Sequence, residues 1–406
     1  MELTPNHTRF RALDSLRGIA ALIVVFLHCY HAIPVETRQG HPYIDMVLTP
    51  AVMTGRFSVI LFFVLSGFVL SLPYLNGRSW SYGTYLTRRF FRLYPPYAVA
   101  VVIAYTACCA CAETGFLVGW PHPPTLHMLL DHLFMAGTGL DSVSLNGPVW
   151  TLIIEMRISL VFPLLVLAVT RFGWGAAIAS IVVSFVACTL NAAHGAEGAT
   201  LARYGNDGLG AVLITLRYMP LFIFGIVTAA NVDVLKGVIR RLPVAAHAGL
   251  WVVIAAVHVH LARSGPYQPG LYRVEWGDAD MFYGAVAIYC IVAATAFAPV
   301  ARQLSNRVFL WLGDVSYSLY LIHLPVLYTV LNILLKRGVR CSLAVALALP
   351  VILIATQLMH HLIEVPCTRI GRALAQAKIK ISVEPNGSGL PVTALAAREQ
   401  RREVPR

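Results

Sequence analysis

An arginine and a histidine eleven positions apart open the chemistry of this chain. The segment ALDSLRGIAALIVVFLHCYH holds Arg17 near its start and His28 deep within an otherwise apolar run. Eleven residues at about 100° each make three turns plus about 20°, so both side chains fall on one helix face. At about 1.5 Å per residue they stand about 16 Å apart, roughly half of a hydrocarbon core about 30 Å thick. That puts Arg17 at an interface and His28 near the midplane. Ionisable groups inside a membrane span are costly and mark function by default. A cation that can hold a phosphate at the rim, below a proton acceptor at depth, is a layout for group transfer within a membrane. The plainer role for the same pair is a topology arginine and a histidine bonded to a neighbouring helix.

Three further constellations carry similar chemistry. The loop from Asn76 to Pro96 ends RRFFRLYPPY, where Arg88 and Arg92 share a helix face at i,i+4 and Arg89 stands beside them. Arginines present forked donors suited to phosphate, and the aromatics between them suit interfacial anchoring or stacking on a base. A topology signal is the alternative. NGPVWTLIIEMRISLVFP offers Asn146 as a helix cap, Pro148 for the first turn, and Glu155 several residues inside. Such a carboxylate can orient a histidine, stabilise an imidazolium or act as a base. It can instead pair with Arg157 to fix packing, although residues two apart do not share a face. In GDVSYSLYLIHLPV, Ser316, Tyr320 and His323 fall at i, i+4 and i+7, a polar stripe flanked by Asp314 and Tyr317. Interhelical hydrogen bonding explains such stripes equally well. Ser66-Gly67 reads first as a small-residue packing signal and second as a place for close ligand approach. His31 completes no metal set with His28, and no metal is expected. His360 and His361, near Glu364, read as interfacial.

These residues need long helices to position them. The chain is 58% hydrophobic and 12% charged, with mean hydropathy +0.70, where soluble domains carry about 25% charge. The predicted fold is all-α, a polytopic transmembrane bundle with spans near 18–33, 57–75, 95–114, 149–169, 174–190, 211–230, 244–262, 279–298, 308–334 and 341–363. Residues 1–17 are polar and lead into an uncleaved span, with no evident signal peptide. Most of the 31 lysines and arginines then fall on one side, so the positive-inside rule places both termini in the cytoplasm. The net charge of +12 comes mostly from this bias. It suits anionic headgroups or a polyanionic cytosolic ligand, and nucleic acid is not an expected partner. The eight cysteines show no metal spacing, and Cys108, Cys109 and Cys111 read as small packing residues. Residues 9–375 form one membrane domain without an internal repeat. Residues 378–406, polar and aperiodic, read as a disordered cytoplasmic tail.

Taken in order, LDSLRGIAALIVVFLH, FFVLSGFVLS, RRFFRLYPPY, NGPVWTLIIEMRISLVFP, SYSLYLIHLPV and EVPCTRIGRAL, the last with Glu364 and Pro366, resemble the acyltransferase-3 family of integral membrane acyltransferases. The resemblance covers about residues 9–375. It implies an O-acyltransferase that moves an acyl group, acetyl by preference, from acyl-CoA to a sugar hydroxyl. The acceptors it implies are sugar hydroxyls of lipopolysaccharide, exopolysaccharide, Nod factors or macrolides, and for this chain a surface polysaccharide, glycolipid or similar glycan. It also implies a multi-pass protein of the bacterial inner membrane, with membrane lipids and a glycan or glycolipid as partners. By the same resemblance, Arg17 and His28 belong to the family's arginine–histidine motif and the arginines of RRFFR to its basic motif. The chain departs from the family in one place. Ile158-Ser159-Leu160 stands where Phe-Tyr-Leu usually comes after the glutamate, which puts the pocket lining and acceptor class in question. No extracytoplasmic hydrolase-like domain accompanies the membrane domain.

The mechanism expected from these residues has Arg17, Arg88, Arg89 and Arg92, with Ser66 nearby, holding the donor nucleotide. The pantetheine arm lies along the first helix and brings the thioester to His28. His28 acts as general base, or is itself acylated in a relay. Glu155 orients or charge-balances it, and Ser316, Tyr320 or His323 meets the acceptor or the developing oxyanion. A transporter of a lipid-linked or acyl-bearing substrate is the alternative, suited by midplane charge with Gly and Pro breaks but lacking inverted repeats.

Overall fold

In the computed structural model, which describes residues 5–33, 42–77, 81–120, 122–135, 145–194, 208–264 and 277–383, ten helices are long and apolar enough to cross a membrane. Among the described residues there is no strand. The spanning helices are α1 (Pro5–His31), α2 (Pro42–Leu75), α3 (Tyr82–Ala112), α5 (Trp150–Phe172), α6 (Trp174–His194), α7 (Gly208–Ala230), α9 (Val244–Ser264), α10 (Gly277–Ala296) and α12 (Arg307–Lys336), with α13 (Cys341–Met359) running into α14 (Val365–Val383) as the tenth. Short α4 (Leu126–Phe134), α8 (Val232–Arg241) and α11 (Ala298–Leu304) lie between them. The molecule is a polytopic helical bundle, as the hydropathy pattern predicts.

The boundaries differ in two informative places. The basic segment is not a loop. It is the first part of α3, which starts at Tyr82 behind the capping hydroxyl of Ser81 and runs unbroken through Pro95 and Pro96. Consecutive prolines remove two helical hydrogen bonds, but inside a bundle the neighbouring helices hold the chain in place. Arg88, Arg89 and Arg92 are therefore carried on a rigid rod. At the other end, a π-turn (His360–Glu364) links α13 to α14, and α14 continues into the segment assigned to the tail, as far as Val383. Residues 384–406 lie outside the described residues.

Close helix crossings set the frame. A Cβ at Gly67 would sit 2.0 Å from the Phe222 carbonyl oxygen, and one at Gly225 would sit 2.1 Å from that of Val64. The Ser66-Gly67 step is thus where α2 and α7 touch backbone to backbone, which small residues permit in membranes. Gly18 and Gly313 do the same for α1 and α12: a Cβ on Gly18 would meet the Gly313 nitrogen at 2.5 Å. The connection between α3 and α5 dips into the bundle. The hydroxyls of Tyr94 and Tyr97 donate to the carbonyls of Leu133 (2.8 Å) and His132 (2.6 Å) at the end of α4. Irregular backbone at this depth is tolerated when protein groups satisfy it. The apolar window of α9, by contrast, buries none of its residues against protein.

Candidate active site

A cavity of about 350 Å³ opens among α1, α2, α3, α5, α12 and α14. It lies towards the side where α1 begins and α14 ends. Five arginines line it: Arg17 from α1, Arg88, Arg89 and Arg92 from α3, and Arg372 from α14. Two carboxylates, Asp14 and Glu155, oppose them, so the lining carries an excess of three positive charges. A guanidinium fork in a partly water-excluded cleft is well suited to phosphate oxygens.

The structure joins Glu155 to the basic segment. Arg89 donates to the Glu155 carboxylate at 2.7 Å, and Ser66 donates to the same oxygen at 3.1 Å. Arg89 also reaches the Ser159 hydroxyl at 3.0 and 3.2 Å, and that hydroxyl donates to the Glu155 carbonyl at 2.7 Å. A buried ion pair survives when surrounding hydrogen bonds satisfy both partners, and these do. Ser159, the departure from the family pattern, thus supports Arg89 from behind. Arg157 turns away and donates to the Ala211 carbonyl at 3.3 Å. Arg17 lies 3.5 Å from Asp14, a turn behind it on α1.

Phe62 and Tyr320 also line the cavity. The Tyr320 hydroxyl donates to the Pro148 carbonyl at 3.1 Å and shares a hydrogen bond with Thr151 at 2.9 Å. Ser316 and Tyr317 also line the cavity, with their hydroxyls donating to the carbonyls of Gly313 and Leu93 at 2.7 Å each. Asn146 makes no cap. Its amide donates instead to the Leu321 carbonyl at 2.8 Å. Pro325 lacks the N–H that would otherwise pair with that carbonyl, so a side chain from another segment takes its place.

His28 and His323 lie side by side beyond this wall, and neither lines the cavity. Their ring centroids are 5.0 Å apart, with His323 Nε2 3.1 Å from His28 Nδ1. His323 Nδ1 faces the Leu319 carbonyl at 2.9 Å, and His28 Nδ1 faces the Val24 carbonyl at 2.9 Å. Carbonyl oxygens only accept, so each Nδ1 carries a proton. In that tautomer the single His28 Nδ1–H is shared between the Val24 carbonyl and His323 Nε2, and His28 Nε2 bears the lone pair. His28 is three residues from the end of α1, while His323 sits near the middle of α12. Among the described residues no carboxylate bonds either ring, and Glu155 serves Arg89 instead. His360 pairs with Glu364 at 3.0 Å, and Glu364 also accepts from Ser318 at 2.6 Å. No cluster of described residues could hold a metal ion.

Arg372 and Thr368, which line the cavity from α14, were not singled out by the sequence. Their i,i+4 spacing was the available signal, and it was absorbed into the general excess of positive charge after the last span. A second ionic cluster also escaped notice. Arg56 binds Asp280 through two hydrogen bonds of 2.8 and 2.6 Å, Arg217 reaches the same carboxylate at 3.4 Å, and Arg56 bonds the Tyr218 hydroxyl at 3.1 Å.

Comparison with known proteins agrees with this picture. The model of the acyltransferase-3 family, an acyltransferase domain, matches residues 10–360. The chain is 27% identical over 391 residues to the acyltransferase MdmB of Streptomyces mycarofaciens, covering 91% of this chain and 94% of that protein. It is 32% identical over 175 residues to protein 2 in the picA locus of Rhizobium radiobacter, covering 38% of this chain and 81% of that protein. No solved structure matches the chain.

Proposed function

The chain belongs to the acyltransferase-3 family and is an integral, multi-pass membrane acyltransferase, and from that premise we propose that it moves an acyl group, acetyl by preference, from cytosolic acyl-CoA to a hydroxyl of a surface glycan or glycolipid. Its seat is the inner membrane of a bacterium, with both termini in the cytoplasm. The observation that carries this reading is the arginine cavity itself, an anion-binding site with an excess of three positive charges. Acyl-CoA is a donor whose several phosphates fit such a site and whose thioester hangs on a long arm.

In direct transfer the acceptor oxygen attacks the thioester carbonyl and its proton passes to His28 Nε2. The carbon–sulfur bond breaks, and the departing thiolate takes that proton back from the imidazolium. His323 Nε2, accepting from His28 Nδ1–H, holds the ring in the basic tautomer and spreads the charge. In a relay, Nε2 attacks the thioester first, the carbon–sulfur bond breaks and CoA departs as the thiolate; the acyl-imidazolium then passes its acyl group to the acceptor oxygen, whose proton is taken up by the freed imidazole. That sequence serves a cytosolic donor and an acceptor on the other face. Tyr320, whose hydroxyl is spent on the Pro148 carbonyl and Thr151, lines the wall of the site, and Arg17, Arg88, Arg89, Arg92 and Arg372 bind the nucleotide end. Ser66 and Glu155 hold Arg89 in place.

Two measurements test the reading. Purified protein in lipid discs, supplied with the membrane glycan fraction as acceptor, should bind CoA and consume acetyl-CoA with no ion gradient present. Mass spectrometry of surface glycans from cells with and without the gene should show a missing acyl mass in the latter. Donor consumption that requires a gradient, or identical glycans in both strains, would contradict it.

A further inference from the structure

Three contacts place residues of different helices at common heights. Gly18 meets Gly313 and His28 meets His323, so α1 and α12 run in the same direction in a constant register. Gly55 packs on the Leu27 side chain, so α2 runs the other way beside α1. Counting along α2 brings Phe62 to the height of Ala20, and counting along α12 brings Tyr320 to that of Val25. At about 1.5 Å per residue, Phe62 stands about 12 Å short of His28 and Tyr320 about 4 to 5 Å short. Both line the cavity, and their rings meet edge to face at 5.5 Å between centroids. The cavity does not reach His28, so a thioester anchored by its phosphates among the arginines has to part these rings to reach it.

The two sides of that passage are not equivalent. Tyr320 is tied by its hydroxyl to Thr151 and to the Pro148 carbonyl. Phe62 has no polar group, so packing alone holds it. It is half-buried between the fully buried Leu61 and Phe63. Moving Tyr320 costs hydrogen bonds in a buried site, whereas moving Phe62 costs only contacts that an entering chain replaces.

We infer that Phe62 determines which acyl groups the enzyme accepts: its ring stands between the arginine cavity and His28 and admits a slender acyl end while excluding a branched one. This rests on reading the cavity as the acyl-CoA site. The discrimination expected of an apolar constriction is about tenfold to a hundredfold for an added methyl branch that does not fit it.

The test uses full-length protein in lipid discs supplied with the membrane glycan fraction as acceptor, with release of free CoA measured from acetyl-CoA and from the branched isobutyryl-CoA, and binding of unacylated CoA measured alongside. Wild type should favour the acetyl donor in kcat/KM by at least about tenfold, and Phe62→Ala should bring that ratio near one while still binding CoA. Phe62→Leu, a milder change for the case in which the alanine variant does not fold, should give an intermediate ratio. An unchanged ratio in a folded variant that binds CoA overturns the inference, as does loss of CoA binding in a folded Phe62 variant, which would make the ring part of the nucleotide site. Wild type that neither binds nor consumes CoA would instead overturn the donor reading on which the inference depends.

Discussion

Two buried arginine–carboxylate clusters sit in this bundle, and they are built to opposite ends. Around Asp280, two guanidinium groups converge on one carboxylate that is 1% exposed, with the Tyr218 ring and hydroxyl closing the remaining side. Around Glu155, one guanidinium meets one carboxylate on the wall of a cavity that three more arginines of α1 and α3 share. The first cluster spends its donors within the protein and clamps α2, α7 and α10 together. The second fixes one arginine and leaves the neighbouring cations facing a cavity large enough for part of a ligand. Charge chemistry alone does not separate a clamp from a site. What separates them is whether the donors are aimed at protein or at open volume.

Removing the carboxylate should break the two clusters differently. Asp280→Ala strands the buried guanidinium of Arg217 and the partly exposed one of Arg56, which costs about 3–5 kcal/mol. It should show as a large fall in thermal stability of the detergent-solubilised protein, with activity lost as a consequence. Next in size come the cavity arginines. A hydrogen bond to a charged partner is worth about 1.5–3 kcal/mol, so Arg88→Ala or Arg92→Ala should weaken acyl-CoA binding about tenfold to a hundredfold at unchanged stability. A reporter fused to the N-terminus should remain cytoplasmic. Inversion or failure to insert would make these arginines topology signals. Lysine at either position should rescue in part, because it lacks the fork. A smaller effect belongs to the exposed rim. Arg372→Ala should weaken CoA binding by about fivefold or less, as expected for a solvated charge, while Arg369→Ala, one position after Thr368 and outside the lining, should leave it unchanged. Equal effects at the two positions would reduce both to long-range charge. The smallest effect is expected from truncation after Ala377, assayed in membranes at matched abundance. Transfer should persist, and its loss would mean that residues 378–406 support the donor site.

The ten spans were legible because long apolar runs are forced by the bilayer and leave a strong pattern. Arg17, His28 and the RRFFR arginines were legible because ionisable groups stand out against such runs. What escaped was of another kind. Pro95-Pro96 signals a helix end in an aqueous chain, but α3 passes through it because neighbouring helices hold the backbone. Asn146 has the residue type of a helix cap, yet it answers a carbonyl freed by Pro325 on a helix far along the chain. Ser66 finds Glu155 at a separation of 89 residues, and Arg56 finds Asp280 at 224. Local pattern carries no trace of such pairings. His28 itself was found by its depth, but its partner His323 came only from the matched register of α1 and α12.

The central claim is that the bare Nε2 of His28, held by His323 above an arginine cavity, performs the transfer. The direct measurement is acyl transfer from labelled acetyl-CoA to the membrane glycan fraction by His28→Ala, at matched abundance and with CoA binding measured on the same sample. CoA should bind as in wild type and transfer should be abolished. Transfer at the wild-type rate in that variant would contradict the claim.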